Sequence, residues 1–157
     1  MFLKYSKNPY ICIMQIFLPY KSPIDVARTL DRRRLNKQII ECRQILTAID
    51  QKSRAWSHHP VVLMYKGHRS FVENYMYTLE CYQKNDISTA EFFSTVAIGW
   101  LPWFVTEDFI IQHRRRLYTK DNGFYKDFSV YGESEENWYV VDGKLIKYKN
   151  GKIQKEK

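Results

Sequence analysis

The segment from Leu30 to Glu41 carries the side chains of this chain that are best suited to chemistry. If it forms a helix, which turns about 100° per residue, four of its polar side chains share one narrow stripe: Arg34, Lys37, Gln38 and Glu41. An apolar stripe runs beside it and consists of Leu35, Ile39, Cys42 and Leu46. An amine, an amide and a carboxylate at the edge of a buried seam are groups that desolvation can tune. The segment is therefore the predicted catalytic centre.

A second cluster, from Gln112 to Phe128, combines consecutive arginines with aromatic rings. Guanidinium groups bind phosphate in a bidentate manner, and aromatic rings stack on bases whatever their sequence. For the arginines we favour contact with DNA over a solvated helix end. Phe124 and Phe128 are expected in the core. For Tyr125, stacking on a base and packing in the core are both open.

A third group surrounds the sequence Trp-Ser-His-His-Pro that ends at Pro60. Two histidines at a helix start are often only caps, but a tryptophan and further basic side chains nearby suggest the rim of a site. The residues expected to contact DNA are, in full, Arg32, Arg33, Trp56, His59, His68, Arg69, His113, Arg114, Arg115, Arg116, Lys120 and Tyr125.

The composition favours a negatively charged partner. The chain has 157 residues, 25 Lys and Arg against 17 Asp and Glu, a formal net charge of +8, and 16% aromatic residues. Basic and aromatic residues together grip phosphates and stack on bases. We therefore favour nucleic acid, as double-stranded DNA, over the alternative of a generic basic domain.

Other classes of function lose support. The three cysteines, Cys12, Cys42 and Cys81, form no CxxC pair, so a zinc site is not expected, and their number suits a reducing cytoplasm. There is no HExxH, phosphate-cradling glycine loop or GxSxG. The apolar run from Tyr10 to Phe17 is too short for a membrane span. We expect a cytoplasmic monomer that needs no metal or cofactor.

The hydropathy pattern predicts a mainly α fold in one compact domain. Long helices are expected at about 23–48 and 60–83, a short one after the possible capping box Ser88-x-x-Glu91, and a fourth at 106–119. Ser22 and Pro23 mark the start of the first helix. A small hairpin is expected at about 138–148, around Asp142-Gly143 and outside the catalytic core.

The order of these motifs resembles the pyrimidine-dimer DNA glycosylase family, of the endonuclease V type, and is closest to its bacterial and phage branch. The matching motifs are Met14-Gln15-Ile16-Phe17, the Leu30–Gln38 helix, Trp56–Pro60, Met64–Gly67, His113-Arg114 and Tyr125. The resemblance spans about residues 14–132, which we take as the glycosylase-like domain. Residues 1–13 would form an N-terminal extension, and residues 133–157 a C-terminal hairpin and tail.

The resemblance implies a compact helical fold and a metal-free base-excision repair enzyme, a glycosylase with AP-lyase activity. In the family an N-terminal α-amine attacks the sugar C1′, a Schiff base forms as the base leaves, and β-elimination cuts the strand. A carboxylate on the first long helix assists. With the helix stripe, the catalytic residues that we predict are Met14, Gln15, Arg34, Lys37, Gln38 and Glu41.

The chain departs from the family pattern in two places. The family start aligns with Met14 instead of Met1, and Gln38 falls about where the catalytic carboxylate is expected. Glu41 lies one turn further along the same stripe and could supply the carboxylate. Lys37 is an alternative amine if partial burial beside Arg34 lowers its pKa, or it is a surface lysine paired with Glu41.

Three functions therefore stay open from the sequence. The first is a DNA glycosylase and lyase acting on a damaged or modified base, with a pyrimidine dimer favoured. The second is a DNA-binding module that keeps the fold without the chemistry. The third is an N-glycosidase that acts on a modified phage base or a nucleotide. Like the glycosylase, it would be a hydrolase.

Overall fold

The computed structural model describes residues 14–52, 54, 56–150 and 152–154, so the predicted N-terminal extension, residues 1–13, lies outside the described residues. The chain is mainly helical with a small antiparallel sheet at its C-terminal end, as the sequence predicts. The helices are α1 (Pro23–Thr29), α2 (Arg32–Ile49), α3 (Pro60–Tyr65), α4 (Arg69–Gln83), α5 (Ile87–Gly99) and α6 (Glu107–Lys120). A 3₁₀ helix (Lys126–Tyr131) follows.

The first predicted long helix is in fact two helices, α1 and α2. Leu30 leaves the helical conformation with ψ 137°, and Asp31 becomes the N-cap of α2, where its side chain accepts a hydrogen bond from the Arg34 amide. An aspartate that satisfies a free amide stabilises a new helix start. Ser22 precedes α1, but its hydroxyl makes no cap and lies 3.0 Å from the Ser94 hydroxyl.

The second predicted long helix is also divided, into α3 and α4. The His59 ring caps α3 by accepting from the Val61 amide, and the backbone turns at Gly67 and His68 before α4 begins. The short helix that was predicted after Ser88 corresponds to α5, which begins at Ile87 and has 13 residues. Its cap is Asp86, which accepts from the Thr89 amide, and not the expected box at Ser88. Thr106 caps α6, as expected.

The sheet has three strands, β1 (Asn137–Val141), β2 (Lys144–Lys149) and β3 (Lys152–Ile153), in the order β1-β2-β3. Asp142 and Gly143, with φ of 52° and 75°, form the turn of the predicted hairpin. The sheet does not lie apart from the core: the Tyr139 ring is 1% exposed, and its hydroxyl donates to the Met14 carbonyl at 2.9 Å. The hairpin is therefore packed against the hydrophobic core.

An extended segment, residues 14–18, runs through the centre of the molecule and is buried throughout. The Phe17 amide donates to Gln38 of α2 at 2.9 Å, and the Leu18 amide donates to His113 of α6 at 2.6 Å. Hydrogen bonds thus link this segment to α2, to α6 and, through Tyr139, to β1. In the part of the chain that the structure describes, none of the helices is both long and apolar enough to cross a membrane.

Candidate active site

The predicted stripe on α2 forms one wall of a cleft of about 210 Å³. Lys120, the last residue of α6, and Phe17 of the extended segment complete it. The lining residues are Phe17, Arg33, Arg34, Lys37, Gln38, Glu41 and Lys120. Four cations therefore surround a single carboxylate. The structure brings together the polar side chains that the sequence placed on one helix face.

Glu41 is the buried centre of this cleft, with 7% of the residue exposed. Its carboxylate lies 3.7 Å from the Lys37 amine, accepts from the Gln38 amide at 3.1 Å, and is bonded by the Gln15 backbone. Burial raises the pKa of Glu41 to about 7, although the nearby Lys37 charge, the strongest opposing influence, lowers it. The carboxyl group can thus gain or lose a proton near neutral pH.

Two amines flank this carboxyl group. The Lys37 side chain is 56% exposed and makes the ion pair with Glu41. Lys120 keeps contact with solvent, yet desolvation and the neighbouring charges of Arg116, Lys37 and Arg34 lower its pKa to about 8. A neutral amine is a nucleophile and a protonated one is not, so Lys120 has a reactive fraction at pH 7 to 8.

Both ends of the Gln38 side chain make hydrogen bonds within the protein. Its carbonyl oxygen accepts from the Phe17 amide and from the Tyr75 hydroxyl, at 2.9 and 3.1 Å. Its amide nitrogen donates to the Gln15 carbonyl at 2.8 Å and to Glu41. With both ends occupied and 1% of the residue exposed, Gln38 holds the extended segment and Glu41 in place.

Tyr125 positions Arg34 and is closed to stacking. Its residue is 3% exposed, and its hydroxyl donates to the Asp31 carboxylate. Asp31 in turn accepts from Arg34 at 3.1 Å. Burial alone would raise the pKa of Asp31, but the hydrogen bonds from Tyr125 and Arg34 lower it.

The two phenylalanines near Tyr125 differ in their burial. Phe128 is buried as predicted, whereas Phe124 is 54% exposed, and the prediction of a core position for Phe124 is wrong.

The arginine triplet of α6 does not form the expected phosphate-binding surface. Arg114 donates to the Pro19 carbonyl at 2.8 Å and to the Tyr131 hydroxyl, and Arg115 donates to the Tyr131 carbonyl at 2.7 Å. Arg116 is 7% exposed and donates to Asn137 at 3.2 Å. The Nε of each of these arginines thus donates to an oxygen within the protein, from Pro19 or from the chain after α6.

The histidines and Arg69 also have intramolecular roles. His59, 2% exposed, caps α3, and His113, 1% exposed, accepts from the Leu18 amide. Burial lowers their pKa values to about 4 and about 3. His68 packs edge-on against Phe104, with ring centroids 5.4 Å apart. Arg69 is paired with Asp50 at 2.7 Å and with Glu73.

Other residues expected to bind DNA line clefts that are open to a partner, as the exposed Lys120 does. Arg32 and Arg33 are exposed at the start of α2 and line two different clefts. Trp56 lines a neighbouring cleft of about 250 Å³ with Ile40 and the residues around it on α2. Met14 and Gln15 are both buried, and it is the Gln15 backbone that reaches Glu41.

Sequence reasoning assigned Lys120 to DNA contact and missed that it shares the cleft with Glu41. The spacing of Arg116 and Lys120, four residues apart on α6, was a signal that they share a helix face. It could not show that this face meets α2. Tyr75, which bonds Gln38 from α4, had no signal beyond a place in an apolar helix pattern.

A helical fold with four cations around one buried carboxyl group defines a protein that can hold a polyanion and move a proton beside it. Residues 14–84 match the family model described as pyrimidine dimer DNA glycosylase. Through this segment the chain is similar to the pyrimidine dimer DNA glycosylase family. The matched segment contains α2 and Glu41, whereas Lys120 and the sheet follow it. Comparisons with curated proteins and with solved structures found no match.

Proposed function

We propose that this protein is a DNA glycosylase with AP-lyase activity that removes a damaged pyrimidine, with a dimer as the favoured substrate. The observation that carries the proposal is the buried Glu41 carboxyl group between two amines, on the helix that the family match covers. The cationic wall of the cleft would hold the DNA backbone of double-stranded substrate. The protein is proposed to act as a monomer.

The proposed reaction begins with attack of a neutral amine on the sugar C1′. The bond from C1′ to the base breaks, and the base leaves with the bonding electron pair and takes up a proton. The sugar ring then opens as the amine nitrogen becomes a Schiff base. Removal of a proton from C2′ breaks the bond from C3′ to its phosphate and cuts the strand. Glu41, with a pKa of about 7, is suited to accept and return protons in these steps.

Three amines are candidates for the nucleophile. Lys37 is in contact with Glu41, and Lys120 has a lowered pKa in the same cleft. The third is an α-amine at Met14 if translation begins there, because the next residue, Gln15, has its backbone bonded to Glu41. All three would bring nitrogen to the same carboxyl group, so geometry alone leaves the choice to experiment.

Borohydride trapping on abasic and on ultraviolet-irradiated duplex DNA tests the proposal, since it reduces a Schiff base to a stable protein–DNA adduct. The variants are Lys37→Ala, Lys120→Ala and, as a matched control, Lys84→Ala, which changes an exposed lysine at the end of α4. The nucleophilic lysine is the one whose loss abolishes trapping while binding persists. If a protein beginning at Met14 traps and one beginning at Met1 does not, the α-amine acts.

Two outcomes would contradict the proposal. Failure of every form to trap on any damaged substrate, with duplex binding retained, would favour a non-catalytic DNA-binding module of the same fold. Release of a base from a modified nucleotide, with no reaction on irradiated DNA, would favour an N-glycosidase with a different substrate.

A further inference from the structure

A second cleft, of about 340 Å³, is lined by residues that follow the family match in the chain, between the start of α6 and the sheet. It shares no residue with the Glu41 cleft. Its lining includes two tryptophans, Trp103 and Trp138, together with Val140, Leu145 and Lys147. Asp108 is the one carboxylate among its lining residues. We call it the tryptophan cleft.

Trp103 is unusual because 66% of this large aromatic residue is exposed. Its ring lies 5.7 Å from the Phe104 ring between centroids, at 75° between planes, so the two rings are not stacked face to face. The Trp138 indole donates to Glu136 at 3.0 Å, so its polar edge is satisfied. An exposed indole face in a cleft is suited to stacking on a flat ligand.

The register of the sheet adds positive charge beside these rings. Trp138 is opposite Lys147, whose amine lies 4.7 Å from the centre of the indole ring. Because side chains alternate along a strand, Lys147 and Lys149 point to the same face, and Lys149 is paired with Lys152. One face of the sheet therefore presents aromatic and apolar groups followed by a row of three lysines.

We propose that the tryptophan cleft and this row of lysines bind single-stranded nucleic acid, with an unpaired base stacked on Trp103 and the backbone phosphates on Lys147, Lys149 and Lys152. Aromatic stacking next to a cationic track is the arrangement that holds single strands without reading their sequence. A proline-rich peptide would also fit between tryptophans, but it would leave the three lysines without a counter-charge. The proposal does not rest on the chemistry of Glu41.

The test is the binding of a fluorescently labelled 12-nucleotide oligo(dT) to the full chain, followed by anisotropy. Trp103→Ala should weaken binding by roughly 5- to 150-fold, the effect of one lost base stack. Trp100→Ala is the matched control, because Trp100 is 60% exposed in the same connection but does not line the cleft. It should leave the affinity unchanged. Measuring both changes in a Lys37→Ala background separates this site from the Glu41 cleft.

The lysines are tested through salt. For single strands the logarithm of affinity falls with that of salt by about 0.7 per phosphate contact, so Lys147→Gln and Lys149→Gln should each flatten the slope by about that amount. Trapping on short abasic duplex should persist in Trp103→Ala, which distinguishes this proposal from that for Glu41. Equal losses for Trp103→Ala and Trp100→Ala, an unchanged salt slope, or binding only of proline-rich peptide would overturn the proposal.

Discussion

At the scale of single residues, Glu41 combines a functional group with an unfavourable environment. A carboxylate that is buried next to one amine is desolvated more than it is compensated, so its pKa rises to about 7. Such a group is a poor contributor to stability at neutral pH and a good proton carrier. The same burial thus explains both properties.

Glu41→Gln tests the role in proton transfer, since glutamine keeps the shape and cannot exchange a proton. We expect the single-turnover rate on abasic DNA to fall by roughly 10²–10⁴-fold, with DNA affinity nearly unchanged. In the unaltered protein, the rate should rise with pH through about 7 as Glu41 ionises, and this rise should be missing from the pH–rate profile of the variant. A variant with a normal rate and the same rise near pH 7 would show that Glu41 takes no part in the mechanism.

Residue types and helical spacing were enough to predict the stripe from Arg34 to Glu41 that now lines the cleft. They were not enough to assign roles within it. Gln38 and Tyr125 look equally available in sequence, but their partners, Phe17, Tyr75 and Asp31, lie on other elements. A side chain that is occupied by a distant backbone amide leaves no local trace in the sequence.

At the scale of elements, the extended segment 14–18 and α2 are joined by the amide of Gln38. Gln38→Leu should preserve volume but leave the Phe17 amide and the Gln15 carbonyl without this partner, whereas the Tyr75 hydroxyl keeps its bond to the Phe17 carbonyl. Since each buried unpaired group costs about 1–3 kcal/mol, we expect the free energy of unfolding in urea to fall by about 2–6 kcal/mol.

Gln83→Leu is the control for that change, because Gln83 is exposed at the end of α4 and bonds only Asn36 in the described contacts. Its effect should stay within about 0.5 kcal/mol, as is usual for surface substitutions. Similar losses in the two variants would mean that Gln38 does not hold the segment to α2.

The limits of helices were harder to predict than their existence. Apolar periodicity continued across Leu30 and Asp31, and it was the cap formed by Asp31 that ended the pattern. The arginine triplet shows a similar limit. Its charge predicted a phosphate-binding surface. In the folded chain, however, the carbonyls of Pro19 and Tyr131 accept hydrogen bonds from Arg114 and Arg115.

At the scale of the whole molecule, stability should respond to pH through opposing titrations. His59 and His113 have pKa values lowered to about 4 and about 3 by burial, so the unfolded chain binds their protons first as pH falls below about 6.5. These two groups therefore destabilise the fold on acidification. Glu41 acts in the other direction, since its raised pKa makes the folded state bind a proton between pH 7 and 4.5.

The difference between Glu41→Gln and the unaltered protein isolates the contribution of Glu41. From pH 4.5 to 7 the unaltered protein should lose stability relative to the variant by about 1.4 kcal/mol per pH unit, or about 3 kcal/mol in total, because ionising the buried carboxyl group is costly. Above pH 7 the difference should be constant, and the variant should be the more stable protein. Urea unfolding at half-unit steps of pH measures this difference. A difference that is flat across the window would show that Glu41 titrates as an ordinary carboxylate, and the buried cleft would then lack the proton carrier on which the proposed chemistry depends.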